Sequence, residues 1–193
     1  PIRVVAAQGG PPLWLTVATV IGGTLEAGGA NAINMYVDRD IDALMERTQG
    51  RPLVTGVVTP RSALVFAVAI EVLAFVFLWQ VVNLLSAVLA VSAWLFCVFV
   101  YTLSPKPSSG RNILIGGAAG AVPVLVGWSA VTNSVTISAL VLFAVIFFWT
   151  PPHFWALAIK YKDDYARADV PMLPSVATYR RTTNQIIVYT VIV

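Results

Sequence analysis

Charge is what this chain has least of. Acidic and basic residues make up 11% of its 193 residues, hydrophobic ones 58%, and mean hydropathy is +0.82. A soluble globular domain is nearer about half apolar and a quarter charged. Apolar surface in such excess points to the bilayer. Cysteine is almost missing as well. The single Cys97 excludes an internal disulfide and a metal site built on several thiolates. Inside an apolar block it reads as a small packing residue. A formal net charge of +3 is too small to suggest nucleic acid as a partner. No signal peptide is visible. The chain opens on Pro1 and stops at Val193 within an apolar run, so we expect one integral-membrane domain over 1–193, truncated at both ends.

What is abundant comes in blocks. Five apolar stretches, at 13–36, 63–82, 84–103, 113–131 and 135–159, approach the roughly 20 residues that cross about 30 Å of hydrocarbon as helix. A sixth begins at 186. The expected fold is all-α: a polytopic transmembrane bundle of five full spans and the start of a sixth. Two connections are tight, at 83 and at 132–134; three are longer and polar, at 37–62, 104–112 and 160–185. Strict alternation puts the three polar connections on one side. They carry every Lys and Arg except Arg3, and positive charge marks the cytoplasmic face. Small residues gather in the first and fourth spans, among them Gly22, Gly29 and Gly117, which suits close helix contact.

The chemistry-bearing residues sit at helix ends on that polar side. Asn34, Asp38 and Asp42 are spaced four apart, so on a helix they form one stripe, each step returning within about 40°. Two carboxylates and an amide at a membrane surface suit Mg²⁺, a hard cation that bridges carboxylates to substrate phosphates. The plainer reading is a solvated acidic helix end. Arg47 and Arg51, again four apart, could hold phosphate oxygens. A second cluster ends the fifth span, with Lys160 and Asp164 four apart, Asp163 adjacent and Lys162 and Arg167 nearby. Two such clusters at one mouth could grip a diphosphate through metal. Glu26, Glu71 and His153 fall inside apolar blocks, where ionisable residues usually face an interior or a partner. His153 is open between an iron-porphyrin ligand, an acid–base group and a structural link.

The pattern Asn34-x-x-x-Asp38-x-x-x-Asp42 followed by Arg47-Thr48-x-x-Arg51-Pro52-Leu53 resembles the first Asp-rich motif of the UbiA-type intramembrane prenyltransferases. Three longer strings, NMYVDRDIDALMERTQGRPL, NILIGGAAGAVPVLVGWSAVT and FFWTPPHFWALAIKYKDDYARADVPMLP, are similar to the protohaem IX farnesyltransferase (haem O synthase) family, and the resemblance covers nearly the whole chain. One departure is local: Pro105 and Pro107 flank Lys106, where that family has an apolar and then a basic residue.

The resemblance implies a nine-helix fold of which this chain is a part, multi-pass in a bacterial cell membrane with its acidic loops cytoplasmic. It implies transfer of a farnesyl group from farnesyl diphosphate to a vinyl group of haem b, with water added, to give haem O for terminal oxidases. Mg²⁺ would be held by Asp38, Asp42, Asp163 and Asp164. Asn34, Asp38, Asp42, Lys160 and Asp164 would form the catalytic set. Arg47, Arg51, Lys106, Arg111 and Lys160 would contact diphosphate, and His153 is a candidate haem contact. Partners would be the lipid bilayer and the two substrates, with haem A synthase or oxidase assembly proteins as candidates. The rivals are a prenyltransferase for another acceptor (a quinone precursor or a chlorophyllide), a membrane transporter and a non-catalytic assembly scaffold.

Overall fold

The computed structural model describes residues 10–102 and 112–193. Among them every regular element is helical, in the order α1 (Leu13–Val37), α2 (Arg39–Leu44), α3 (Pro60–Phe77), α4 (Leu84–Leu95), α5 (Asn112–Thr132), α6 (Ile137–Lys160), α7 (Lys162–Arg167), α8 (Leu173–Val176) and α9 (Tyr179–Ile192). α3 continues as a π-helical turn over Leu78–Val82, and α4 over Phe96–Thr102. This is the expected all-α membrane architecture. Four helices have the length and composition to cross a bilayer, over Leu13–Val37, Pro60–Val82, Ile113–Thr132 and Ile137–Lys160. The span expected at 84–103 is a shorter apolar helix over Leu84–Val100. Its last turns are wound to the wider i→i+5 pattern.

Helix starts follow from local side-chain chemistry. Thr59 accepts the Ser62 N–H and Pro60 occupies the first turn, so α3 begins three residues before the apolar block. Asn83 accepts from Ser86 N–H and caps α4, and Thr136 and Thr178 cap α6 and α9 in the same way. α9 therefore starts at Tyr179, well before the apolar run at 186. Pro123, Pro151 and Pro152 lie within α5 and α6 without ending them.

Packing rests on small side chains. α1 crosses α3 so closely that a Cβ on Gly29 would lie 2.6 Å from Glu71 Oε1, and one on Gly22 would meet the Leu78 side chain. Gly117 of α5 stands 3.3 Å from the Thr150 side chain of α6 by the same measure. The buried core is correspondingly rich in alanine, with Ala67, Ala87 and Ala139 fully buried. α4 and α5 are pinned by Ser86 and Ser129 hydroxyls 2.7 Å apart and by Asn83 Nδ2 donating to the Ser129 carbonyl at 2.9 Å. Large apolar side chains such as Val65, Phe66, Val72 and Leu73 point outward, as lipid-facing residues do.

The tight connections at Asn83 and Asn133 meet at one end of the bundle. The polar connections at 37–62 and 160–185 meet at the other. There Met45 packs with Ile113, Trp155, Ala158, Ala168, Val170 and Met172, and Ile41 joins the same cluster.

Candidate functional site

At Asp38 the first helix breaks, with φ −87° and ψ 3°, before α2 resumes at Arg39. Its hydrogen bonding nevertheless runs through. Asp38 N–H donates to the Asn34 carbonyl at 2.9 Å, and Asp42 N–H donates to that of Asp38 at 2.8 Å. The stripe of Asn34, Asp38 and Asp42 therefore survives the break. Both carboxylates are turned inward, each 4% exposed, while Asp40 between them is exposed. A charged group buried to this degree needs a partner. Asp42 has Arg51, whose Nη1 lies 2.5 Å from its Oδ2. Thr48, also buried, donates to the Asp42 carbonyl at 2.9 Å and folds the following turns back over α2.

On the facing side, α6 ends at Lys160 and α7 starts at Lys162, with Tyr161 at the break. Asp164 is buried and paired with Arg167, one turn on. Asp163 beside it is exposed. Arg167 reaches across to Glu46 of the first cluster, 3.8 Å away, and Arg47 lies over the Tyr161 ring at 5.6 Å. Side chains of the two helix ends thus touch. Between them opens a cleft of about 640 Å³ lined by Glu46, Arg47, Lys160, Tyr161, Asp163, Asp164 and Arg167. Three acidic and three basic side chains line it, so their charges cancel and a highly charged anion would call for added cations.

The four carboxylates expected to hold metal, Asp38, Asp42, Asp163 and Asp164, are not gathered into a protein-only ligand set. Among the described residues no three His, Cys, Asp or Glu side chains come together as one. Asp42 and Asp164 each already face a guanidinium. Hard oxygen donors in ones and twos still fit Mg²⁺, which takes one or two carboxylates and completes its octahedron with water and substrate phosphates. Lys106 and Arg111 lie outside the described residues.

His153 sits elsewhere. It is exposed on α6, stacked on Trp149 with ring centroids 4.3 Å apart, and set edge-on to Phe154. With Trp149, Pro152, Ile186, Thr190 and Val193 it lines a separate cleft of about 240 Å³ between α6 and α9. A third cavity, about 460 Å³ and mostly apolar, lies between α1, α4 and α5, with Thr19, Thr24 and Glu26 as its polar lining. Glu71 is buried against Gly29, and its Oε1 has no hydrogen-bond partner among the described residues.

Sequence reasoning named neither Glu46 nor Tyr161. The signal for Glu46 is faint: it stands four residues beyond Asp42 and beside Arg47. Tyr161 gave only its adjacency to Lys160, a place where a tyrosine is ordinarily an interfacial anchor.

Comparison with known proteins narrows the reading. The chain is 57% identical to a protein of Parafrankia sp. named protoheme IX farnesyltransferase, over 98% of this chain and 60% of that protein. It is 53% identical to the protoheme IX farnesyltransferase of Streptomyces avermitilis, over 98% of this chain and 62% of that one. It thus spans about 60% of the length of the curated relatives it matches. A UbiA homologue from Archaeoglobus fulgidus, solved bound to DMAPP and Mg²⁺, superimposes with a TM-score of 0.77 at 19% identity, covering 94% of this chain and 64% of that one. The same homologue bound to GPP and Mg²⁺ gives 0.75. At such identity the likeness carries the fold alone. Residues 3–193 match the UbiA prenyltransferase family, and to that family this multi-pass membrane chain belongs.

Proposed function

We propose that this chain is the diphosphate-gripping part of an enzyme that moves a farnesyl group from farnesyl diphosphate to a vinyl group of protohaem IX, with Mg²⁺ required, yielding haem O. One observation carries the reading: Glu46 and Arg47, just beyond the Asp38–Asp42 stripe, share one cleft of about 640 Å³ with Lys160, Asp163, Asp164 and Arg167 of the second helix end. The names of the relatives at 53–57% identity supply the acceptor and the prenyl length.

The hard step is breaking the allylic C–O bond, which leaves an allylic cation and a diphosphate of high charge. Mg²⁺ held by Asp38, Asp42, Asp163 and Asp164 would supply Lewis-acid neutralisation of that leaving group. Arg47 and Lys160, which line the cleft, would supply charge-assisted donors to the same oxygens, and Arg51, now paired with Asp42, would join them on exchanging partners. Lys106 and Arg111 are further candidates for this contact. Asn34, on the same stripe, would orient a carboxylate or add an oxygen donor to the metal. Apolar lining deeper in the bundle receives the farnesyl chain and keeps water from the cation. The vinyl group attacks as a π-nucleophile, diphosphate departs, and water captures the cation left on the vinyl carbon next to the porphyrin with loss of a proton, so no covalent enzyme intermediate is needed. His153, in its own aromatic cleft, is the candidate contact for haem iron. The acidic mouth faces the cytoplasm of a bacterial cell, where the lysine and arginine excess of the polar connections would place it.

The test is incubation of the intact protein with haem b, farnesyl diphosphate and Mg²⁺, followed by mass analysis of the porphyrin. A gain of one farnesyl and one hydroxyl group is expected. Asp38→Ala and Asp42→Ala should each lower product by at least about a hundredfold, the scale of losing a metal-supporting ligand, while membrane insertion persists. Near-normal product from either variant would sink the metal role, and prenylation of a quinone precursor in place of haem would move the enzyme to another acceptor.

A further inference from the structure

Tyr161 lies at the break between α6 and α7, with φ −111° and ψ 21°. Its place there is fixed by its own backbone. Its N–H donates to the Ala158 carbonyl at 3.2 Å, and its carbonyl accepts from Tyr165 N–H at 3.1 Å. The ring is half-buried and borders the polar cleft. Two cations from different segments converge on it: Arg47 Cζ stands 5.6 Å from the ring centroid and Lys160 Nζ 5.3 Å. Both distances fall within the roughly 6 Å over which an aromatic quadrupole attracts a cation. An interfacial anchor would present its ring to lipid; this ring is engaged with two like charges inside the cleft.

We infer that Tyr161 is a positioning residue: its ring, an aromatic plate at the border of the cleft, attracts both Arg47 and Lys160 and orders them for a diphosphate. The inference rests on the prenyl-diphosphate reading of the cleft and adds a residue to it. Two long cationic side chains repel one another and would otherwise sample many rotamers. Each must be immobilised when an anion binds, and side chains of this kind cost appreciable entropy to order. A ring that attracts both offsets their repulsion and orders them beforehand. The ring face is the active feature, so the phenol hydroxyl is dispensable.

The test is titration of inorganic diphosphate with Mg²⁺ into the intact protein, alongside KM values for farnesyl diphosphate and for haem. Tyr161→Leu should weaken diphosphate binding about tenfold and raise the KM for farnesyl diphosphate to match, the scale of ordering two such side chains. The KM for haem and kcat should stay within about twofold. Tyr161→Phe should bind as the wild type does. Tyr161→Gln, a second ring-less variant, should behave as Tyr161→Leu and guards against a fault peculiar to leucine. Unchanged diphosphate affinity in both ring-less variants overturns the inference, and so does a Tyr161→Phe variant as weak as Tyr161→Leu. A wild-type protein that binds no diphosphate overturns the prenyl-diphosphate reading itself, and the plate with it.

Discussion

At the scale of single residues, the two arginine–carboxylate pairs share their chemistry and differ in spacing and burial. Asp42 is 6% exposed at its side chain and Arg51 28%; Asp164 is 10% exposed but Arg167 59%. Removing one partner of a buried pair leaves an uncompensated charge, which costs about 3–5 kcal/mol, whereas exposed pairs contribute about 0–1 kcal/mol. Arg51 is partly wet, so the lower end applies. Arg51→Ala should therefore destabilise the protein by about 2–3 kcal/mol, and Arg167→Ala by no more than about 1 kcal/mol. Thermal unfolding in detergent should show the larger drop for Arg51→Ala. Equal drops would mean that burial does not separate the two pairs. The spacing of Asp42 and Arg51 was legible in the sequence; which pair is buried was not, because that depends on Thr48 folding the turn back over α2.

At the scale of elements, hydropathy located the spans and side-chain capping set their ends. Polar Arg61 and Ser62 hid the start of α3, and Arg180, Arg181 and Gln185 hid the first turns of α9. A threonine cap in each case overrides the local polarity. Close helix contact by α1 was readable as a glycine pattern, but neither its partner α3 nor which glycines sit at the contact. A Cβ on Gly29 would press on Glu71 and Ile70, whereas one on Gly23 meets nothing within 4 Å. Gly29→Val should separate the two helices and cost about 1–3 kcal/mol, as overpacking does. Gly23→Ala should change stability by less than about 0.5 kcal/mol. Chemical unfolding of the two variants checks this, and comparable losses would contradict the crossing.

At the scale of the molecule, alternation of six apolar runs indicated which connections share an end, and the structure places the polar connections at 37–62 and 160–185 opposite the tight turns. The cleft was half legible. Its aspartates and basic residues declared themselves by four-residue spacing, yet Glu46 and Tyr161 acquire meaning only once α6 and α7 lie beside the turns after α2. The deeper reason is that a cleft between distant segments is a property of packing, and periodicity reports one helix at a time. The claim on which function depends is that these two distant segments share one mouth. Its most direct measurement is thiol cross-linking in membranes, with Glu46→Cys and Arg167→Cys introduced together in a Cys97→Ala background of the intact protein. A short bifunctional maleimide should join the two positions within one chain, and Mg²⁺ with farnesyl diphosphate should slow the reaction by filling the cleft. Both thiols labelling freely while never becoming linked would contradict the shared mouth, and with it the diphosphate grip.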